Sequence, residues 1–221
     1  MGDLWMQGLG ESHAKTVLLS DWPTEPVDAV FFHARSYDDD DENIFRTASE
    51  LTSRFGGCVV INGSDGELAD GTGPGVAWAG KAVWIDRLKD FGITPLLTWP
   101  ALDNKGENEE YINLALARNW KRAVILTQPH QMVRTFLGAV KSMADRDYWM
   151  QLYGVTPRSV DWWKVVRGSQ GAEVLHRIRH IDREDSRIPR YLKEGKYGKG
   201  GCDLATYEEL FAYLRTRESI A

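Results

Sequence analysis

The chain has 221 residues, of which 43% are hydrophobic and 27% are charged, and its formal net charge is −5. This composition predicts a folded chain of ordinary domain size with a substantial core, and it disfavours disorder. The acidic balance provides no electrostatic footprint for DNA or RNA, so we expect no nucleic-acid partner. Two cysteines are too few for a disulfide framework or a zinc site of the usual spacing.

The beginning of the chain carries no recognisable targeting signal. The first residues, MGDLWMQGLGESHAK, contain no basic segment followed by an apolar run, which a signal peptide would have. No window of the sequence approaches the roughly 18 apolar residues of a membrane-spanning helix. We therefore expect a cytoplasmic protein without membrane insertion.

Four short apolar runs alternate with helical patterns along the first part of the chain. The runs lack the polar alternation of a half-exposed strand, as expected in a sheet that is covered on both faces. Strands that alternate with helices predict an α/β fold with a doubly wound, mainly parallel sheet and right-handed crossovers. The predicted strands are Ala29–Phe32, Cys58–Ile61, Leu96–Trp99 and Ala123–Leu126.

Strand signals fade after about residue 145. The segments 162–166 and 174–181 resemble helices, and residues 206–209 form a capping box at the start of a further helix. Residues 1–145 are therefore predicted to form the α/β domain, and residues 146–221 a helical extension packed on it. The tryptophans expected to bury apolar area in this extension are Trp149, Trp162 and Trp163.

The first predicted strand ends in His33-Ala34-Arg35-Ser36, which lacks the glycines of a dinucleotide-binding turn. Two interpretations are equally open. Either His33 and Arg35 face a ligand, or Arg35 pairs with the acidic residues that follow and His33 is an ordinary polar edge residue. The acidic run 38–42 is interpreted as a solvated helix cap, because its spacing is not that of a calcium loop and carboxylates suit a helix N-terminus.

A glycine-rich loop follows the second predicted strand and begins Asn62-Gly-Ser-Asp-Gly-Glu67. Glycine allows a ligand to approach the backbone closely. A long loop at the carboxyl end of a strand is either a binding loop or a surface excursion, and its position here favours binding. The candidate ligand-binding residues of this loop are Gly63, Ser64, Asp65 and Glu67.

Two polar turns, residues 104–108 and 127–134, are predicted to form one pocket. Open α/β sheets bind ligands outside the carboxyl ends of their strands, where helix N-termini offer unpaired N–H groups. In the first turn, Glu107 either complements the helix dipole or acts as a general base. Asn104 either caps the helix or stabilises the turn, or it joins Asn108 in binding the hydroxyl groups of a ligand.

The second polar turn supplies the remaining candidates. Thr127 can cap the turn that follows the fourth predicted strand. Arg134 either binds a phosphate or carboxylate or forms a structural ion pair with Glu107. His130 and Gln131 are further polar candidates for the pocket.

The glycine-rich turn 62–66 and the two polar turns, in this order, resemble the YdcF/SanA-like domain family over roughly residues 27–143. Residues 104–108 read Asn-Lys-Gly-Glu-Asn, against Asn-Thr-x-Glu-Asn in the family. Residues 127–135 read Thr-Gln-Pro-His-Gln-Met-Val-Arg-Thr, against Thr-Ser-x-x-His-x-x-Arg-Ala. The resemblance implies a Rossmann-like, three-layer α/β fold in a bacterial protein. It also implies a nucleotide-like or phosphorylated small-molecule ligand, with S-adenosylmethionine as one candidate cofactor.

Departures from the family pattern leave the activity open. Lys105 stands in place of Thr, and Gln131 stands where the family usually has His, with His130 one position earlier. If the family His transfers protons, this chain has either lost that role or moved it to His130. In the second case Glu107 and His130 are the candidate catalytic residues of a hydrolase or group transferase. The alternative is a non-catalytic regulatory or protein-interaction module. No Gly-x-Ser-x-Gly or Walker A sequence occurs, which disfavours an α/β-hydrolase and a P-loop NTPase.

Overall fold

The computed structural model describes the chain except for residues 1–13, 16, 20, 35, 37–38, 67–78, 168–173, 195–202 and 221. At its centre lies a sheet of five parallel strands. The strands are β1 (Ala29–Phe32), β2 (Cys58–Ile61), β3 (Leu96–Leu97), β4 (Arg122–Leu126) and β5 (Gln151–Val155). Their order across the sheet is β3-β2-β1-β4-β5.

Helices cover both faces of this sheet. The helices that connect its strands are α1 (Glu42–Phe55), α2 (Lys81–Lys89), α3 (Asn104–Arg118) and α4 (Pro129–Asp145). Val30 and Val124 share a hydrophobic cluster with α1 and α2, whereas Phe31 and Ile125 share another with α3 and α4. Successive side chains of a strand point to opposite faces, so the two clusters lie on opposite sides of the sheet. The predicted Rossmann-like, three-layer α/β fold is confirmed.

The winding of the chain changes direction beside β1, at the centre of the sheet. The strands β2 and β3 extend the sheet on one side of β1, and β4 and β5 extend it on the other. Phe31 of β1 accordingly pairs with Val60 of β2 and with Ile125 of β4. In open sheets of this kind, ligands bind outside the carboxyl ends of the strands at such a switch point.

The prediction that residues 146–221 are helical is wrong for three segments. Residues 151–155 form β5, which pairs with β4 along its whole length. Two further strands, β6 (Val165–Arg167) and β7 (Val174–His176), form a small antiparallel sheet where helices were predicted. The sheet of the α/β domain therefore continues past residue 145.

β5 is difficult to predict as a strand, because the polar Gln151 and the glycine Gly154 interrupt its apolar run. Gln151 accepts a hydrogen bond from Arg122 Nε at 2.5 Å, which fixes the start of the strand beside β4. A Cβ atom at position 154 would lie 2.9 Å from the carbonyl oxygen of Leu18, so the close approach of that segment requires Gly154.

Two helices, α5 (Arg179–Glu194) and α6 (Tyr207–Thr216), complete the fold and pack on the α4 side of the sheet. The capping box predicted for α6 is confirmed. Thr206 Oγ1 accepts a hydrogen bond from the Glu209 amide at 3.1 Å, and Glu209 Oε2 accepts one from the Thr206 amide at 2.7 Å. Among the helices that the structure describes, none is long and apolar enough to cross a membrane.

Several tryptophans bury less area than predicted. Trp163 is 70% exposed and Trp149 is 40% exposed, so the expectation of buried tryptophans is wrong for both. Trp99 was assigned to the third predicted strand, but β3 ends at Leu97 and the Trp99 side chain is 80% exposed. These rings are therefore available at the surface of the chain.

Candidate functional site

A cleft opens at the carboxyl edge of the sheet, where the N-terminal ends of α2, α3 and α4 meet. Its volume is about 1040 Å³, including the part that is open to solvent. Arg187 and Tyr191 of α5 form part of its wall. Its polar lining includes Asn62, Ser64, Lys81, Asp103, Asn104, Lys105, Glu107, Gln131, Arg134, Arg187 and Asp203.

The two polar turns border this one cleft, as their positions predicted. The predicted site residues that line it are Ser64, Asn104, Glu107, Gln131 and Arg134. Those that lie outside its lining are Gly63, Asp65, Asn108, Thr127 and His130. Glu67 falls outside the residues that the structure describes.

Glu107 lies in the first turn of α3 and contacts His33, the residue that follows β1. His33 Nδ1 is 3.1 Å from Glu107 Oε2, and the Tyr111 hydroxyl is 3.4 Å from Glu107 Oε1. The side chains of His33 and Glu107 are 1% and 11% exposed. His33 thus lies behind the cleft wall rather than in it, and Arg35, its companion in the sequence motif, is outside the described residues. A largely buried carboxylate with a fixed imidazole neighbour is suited to proton transfer.

The amide side chains of α3 make hydrogen bonds to α4. Asn104 Nδ2 donates to Thr135 Oγ1 at 3.1 Å, and Asn108 Nδ2 donates to the Thr135 carbonyl oxygen at 3.2 Å. Asn104 does not cap the helix, since Asp103 accepts the hydrogen bond of the Gly106 amide at 2.8 Å. Asn108 is buried and joins the two helices, whereas Asn104 also reaches the cleft.

Arg134 pairs with Glu184 of α5 and not with Glu107, so the alternative of an Arg134–Glu107 ion pair is wrong. Arg134 Nε and Nη2 both donate to the Glu184 carboxylate, and Arg187 Nη1 donates to Glu184 Oε1 at 3.0 Å. Burial by itself lowers the pKa of Arg134, but the charge and hydrogen bonds of Glu184 outweigh burial and raise this pKa. Two guanidinium groups share one carboxylate, so this trio, the Arg134–Glu184–Arg187 cluster, carries a net positive charge beside the cleft.

The described start of the glycine-rich loop, residues 62–66, packs against the segment after β3 and forms part of the cleft wall. A Cβ atom at position 63 would lie 2.1 Å from the carbonyl oxygen of Thr98, so Gly63 allows the segments after β2 and β3 to touch. Lys81 Nζ lies 2.7 Å from the exposed Asp65 carboxylate and 3.2 Å from the Gly63 carbonyl oxygen. Among the predicted residues of this loop that the structure describes, Ser64 lines the cleft.

The residues after β4 also contact a second polar cluster, which is buried. Thr127 Oγ1 donates to the His33 carbonyl oxygen at 3.2 Å, so Thr127 does not cap α4, and Gln128 occupies the cap position. His130 Nε2 lies 3.4 Å from Asp39 Oδ2. His130 therefore belongs with Asp39 and not with the lining of the cleft, which weakens its candidacy as a catalytic group.

Asp39 is the centre of that buried cluster. Arg177 Nε donates to Asp39 Oδ1 at 2.8 Å, and Arg177 Nη1 donates to the Asp161 carbonyl oxygen at 2.9 Å. The prediction of a cap in the acidic run is confirmed for Asp41, which accepts the hydrogen bond of the Asn43 amide and begins α1. The prediction that the run is solvated is wrong for Asp39 and Asp40, which are 2% and 0% exposed.

Gln131 lines the cleft with a buried amide group. The residue is 1% exposed, and its Nε2 atom has no hydrogen-bond partner among the described residues. A buried donor without a partner destabilises a protein by roughly 1–3 kcal/mol. An oxygen atom of a bound ligand would supply the missing acceptor.

Three functional residues of α5 were not predicted from the sequence: Arg187 and Tyr191, which line the cleft, and Glu184, which pairs with Arg134 and Arg187. Glu184 lies 50 residues from Arg134, and no local motif connects the two. The available signal was the charged face of a helix, which is usually solvated. Within the described ranges, no group of three or more His, Cys, Asp or Glu residues could hold a metal ion.

Comparisons with known proteins leave the family open. A scan against protein-family models finds no match, and a search of curated proteins finds none either. The resemblance to the YdcF/SanA-like family therefore stays a prediction that rests on the motifs of the two polar turns and the glycine loop.

Proposed function

We propose that this chain is a YdcF/SanA-like protein whose cleft binds a nucleotide-like or phosphorylated small molecule. The observation that carries the proposal is the Arg134–Glu184–Arg187 cluster beside the cleft. One carboxylate neutralises one of the two guanidinium groups, and the positive charge left over favours an anionic group at the part of the cleft next to this cluster. Guanidinium groups also match the planar geometry of phosphate and carboxylate oxygens.

The position of the cleft supports the same function. It lies at the carboxyl edge of a doubly wound sheet, beside the switch point at β1, where such folds bind their ligands. The Gln131 amide and the Glu107 carboxylate provide a donor and an acceptor for the polar groups of a ligand such as a nucleotide or S-adenosylmethionine.

The test is a thermal-shift screen with S-adenosylmethionine, adenine and uridine nucleotides, nucleotide sugars and sugar phosphates. A ligand at 100 times its Kd stabilises the folded state by roughly 2.7 kcal/mol. For a chain of this size, that corresponds to an increase in Tm of roughly 5–10 °C. A panel without any shift would count against the small-molecule function.

Arg187→Gln is expected to weaken binding of a phosphorylated ligand at least tenfold, because it removes the more exposed guanidinium group of the cluster. The Arg187 side chain is 24% exposed, so the variant should fold. Arg179→Gln is the matched control, since Arg179 is on the same helix, 67% exposed and outside the lining of the cleft. Equal affinity of Arg187→Gln and Arg179→Gln would place the ligand elsewhere.

A protein-interaction module is the second candidate function, and exposed apolar side chains in the small antiparallel sheet and in the turn before it favour it. Trp163, Val165 and Val174 are 70%, 51% and 58% exposed. Apolar side chains grouped at a surface mark interaction sites more often than isolated ones do.

Self-association through this surface would give a sedimentation coefficient that rises with protein concentration in the wild type and in Trp149→Ser, but not in Trp163→Ser. A coefficient independent of concentration in all three would argue against this interface.

A further inference from the structure

We infer that Glu107 and His33 form the proton-transfer pair of the cleft, with Glu107 contacting the ligand and His33 acting as a positioning residue behind it. This inference rests on the proposed small-molecule function and adds a chemical role to the same cleft. It replaces the expectation from the sequence that His130 shares the catalytic role with Glu107.

The positions of Glu107 and His33 relative to the cleft support these two roles, because Glu107 lies at the cleft surface and His33 lies behind it. Glu107 lines the cleft and keeps 11% of its side-chain area exposed. His33 does not line the cleft and is 1% exposed, yet its Nδ1 atom is 3.1 Å from Glu107 Oε2. A ligand can therefore reach Glu107 directly, whereas it reaches His33 only through the carboxylate.

Both oxygen atoms of Glu107 have a buried neighbour. The Tyr111 hydroxyl, 3.4 Å from Oε1, donates its hydrogen bond to the Phe32 carbonyl oxygen at 2.7 Å. Burial and the charge of Glu107 raise the pKa of Tyr111 well above its ordinary value, so this hydroxyl stays protonated. Because the imidazole and the phenol are fixed by the core, the carboxylate has a defined direction, which proton transfer in a bound complex requires.

The contacts of the imidazole assign its proton to Nδ1. Glu107 Oε2 is closer to Nδ1 than the Asn104 amide nitrogen is, at 3.1 Å against 3.5 Å. His33 Nε2 is buried and has no hydrogen-bond partner among the described residues. Among the residues that the structure describes, a proton on Nε2 would find no acceptor, whereas a proton on Nδ1 is donated to Glu107.

The pair can perform one balanced step. The O–H bond of a ligand hydroxyl or a water molecule breaks, its proton binds to Glu107, and its electron pair stays on the oxygen atom, which becomes the nucleophile. The Nδ1–H group of His33 holds the carboxylate during this step. Arg134 is the cationic group nearby on α4, since the charge of Glu107 contributes to the raised pKa of Arg134.

His130 lacks such an arrangement. Its Nε2 atom lies 3.4 Å from Asp39, its ring centre is 5.7 Å from that of His180, and it is absent from the lining of the cleft. A proton on His130 would therefore have no direct route to a ligand in the cleft.

The first arm of the test needs no ligand. Long-range ¹H–¹⁵N spectra of the imidazole groups, with His33→Asn for assignment, should show the His33 proton on Nδ1. Glu107→Ala should abolish this signature, while the control Glu110→Ala on the same helix should retain it. A proton on Nε2 of His33, or a signature that is unchanged in Glu107→Ala, overturns the pair whether or not the cleft binds a ligand.

The second arm measures turnover of 4-nitrophenyl phosphate by the full chain. Glu107→Gln is expected to lower kcat by about 10²–10⁴-fold with little change in KM, the usual contribution of a general base. His33→Leu should lower kcat by up to about 100-fold, because a displaced carboxylate transfers protons less efficiently. His33→Asn should retain more of the activity, since its amide can replace the Nδ1–H donor.

The outcomes separate this inference from the proposed function. Loss of kcat in Glu107→Gln with unchanged turnover in Glu110→Gln supports the pair. Absence of turnover in a protein that binds phosphorylated ligands in the thermal-shift screen overturns the proton-transfer role and leaves the binding function intact. Absence of both turnover and binding contradicts the inference and the function together.

Discussion

Arg177→Met is expected to lower the free energy of unfolding by about 3–5 kcal/mol, the usual effect of removing one partner of a buried ion pair. The side chains of Arg177 and Asp39 are 0% and 2% exposed, so neither water nor salt can replace the lost partner. For a chain of this size, the corresponding decrease in Tm is roughly 6–20 °C. Thermal and urea unfolding of the purified variant would measure both quantities.

The large effect has two physical sources. Asp39 would keep a buried negative charge without the guanidinium group of Arg177, and the carbonyl oxygens of Asp39 and Asp161 would each lose a donor at 2.8 and 2.9 Å. Arg177 also joins distant parts of the chain, because it lies 138 residues from Asp39. Its removal therefore weakens the attachment of the small antiparallel sheet to the segment that follows β1.

Two further variants keep this prediction testable. Arg179→Met removes a guanidinium group that is 67% exposed and pairs with Asp182, so a change below about 1 kcal/mol is expected. Asp39→Asn combined with Arg177→Met removes both buried charges and should recover part of the lost stability. Similar stability of Arg177→Met and Arg179→Met would show that the Asp39–Arg177 pair contributes little.

The fold was predictable because its central strands are short apolar runs. β1, β2 and β4 are buried on both faces, so nearly every residue in them is apolar and the runs stand out from the helices between them. β5 was not predictable in this way. Its Gly154 is required because the Leu18 backbone lies too close for a side chain at that position. This contact joins residues that are far apart in the sequence.

The location of the candidate site was predictable, because it follows from a general rule about where open α/β sheets bind ligands. Glu107 and Arg134 follow different strands, yet the rule that parallel strands end at one edge of the sheet brought them to one cleft. Their actual partners were not predictable, because His33 and Glu184 lie 74 and 50 residues away from them. Pairing of charges over such separations depends on how the helices pack, so it cannot be predicted from the spacing of residues in the sequence.

Glu184→Gln is the second substitution with a large expected effect, about 3–5 kcal/mol of lost stability. Glu184 is 3% exposed and lies between Arg134 and Arg187. A glutamine can accept a hydrogen bond from one of the two arginines, but it supplies no negative charge. Arg134, with 9% of its side chain exposed, would then retain a nearly buried positive charge without the carboxylate that it contacts directly.

Asp185→Asn is the matched control, because it makes the same chemical change one position along α5. Asp185 pairs with Lys15, and the two side chains are 45% and 37% exposed. Exposed pairs of this kind contribute about 0–1 kcal/mol, so the stability of Asp185→Asn should remain close to that of the wild type. Equal stability of the two variants would mean that Arg134 does not depend on Glu184 for its charge balance.

The same variant connects stability with binding. In Glu184→Gln, the two guanidinium groups beside the cleft lose the carboxylate that neutralises one of them, so an anion in the cleft gains a stronger electrostatic partner. A phosphorylated ligand should therefore raise the Tm of Glu184→Gln by more than it raises that of the wild type or of Asp185→Asn. An equal or smaller increase in Glu184→Gln would show that the anion binds away from the Arg134–Glu184–Arg187 cluster.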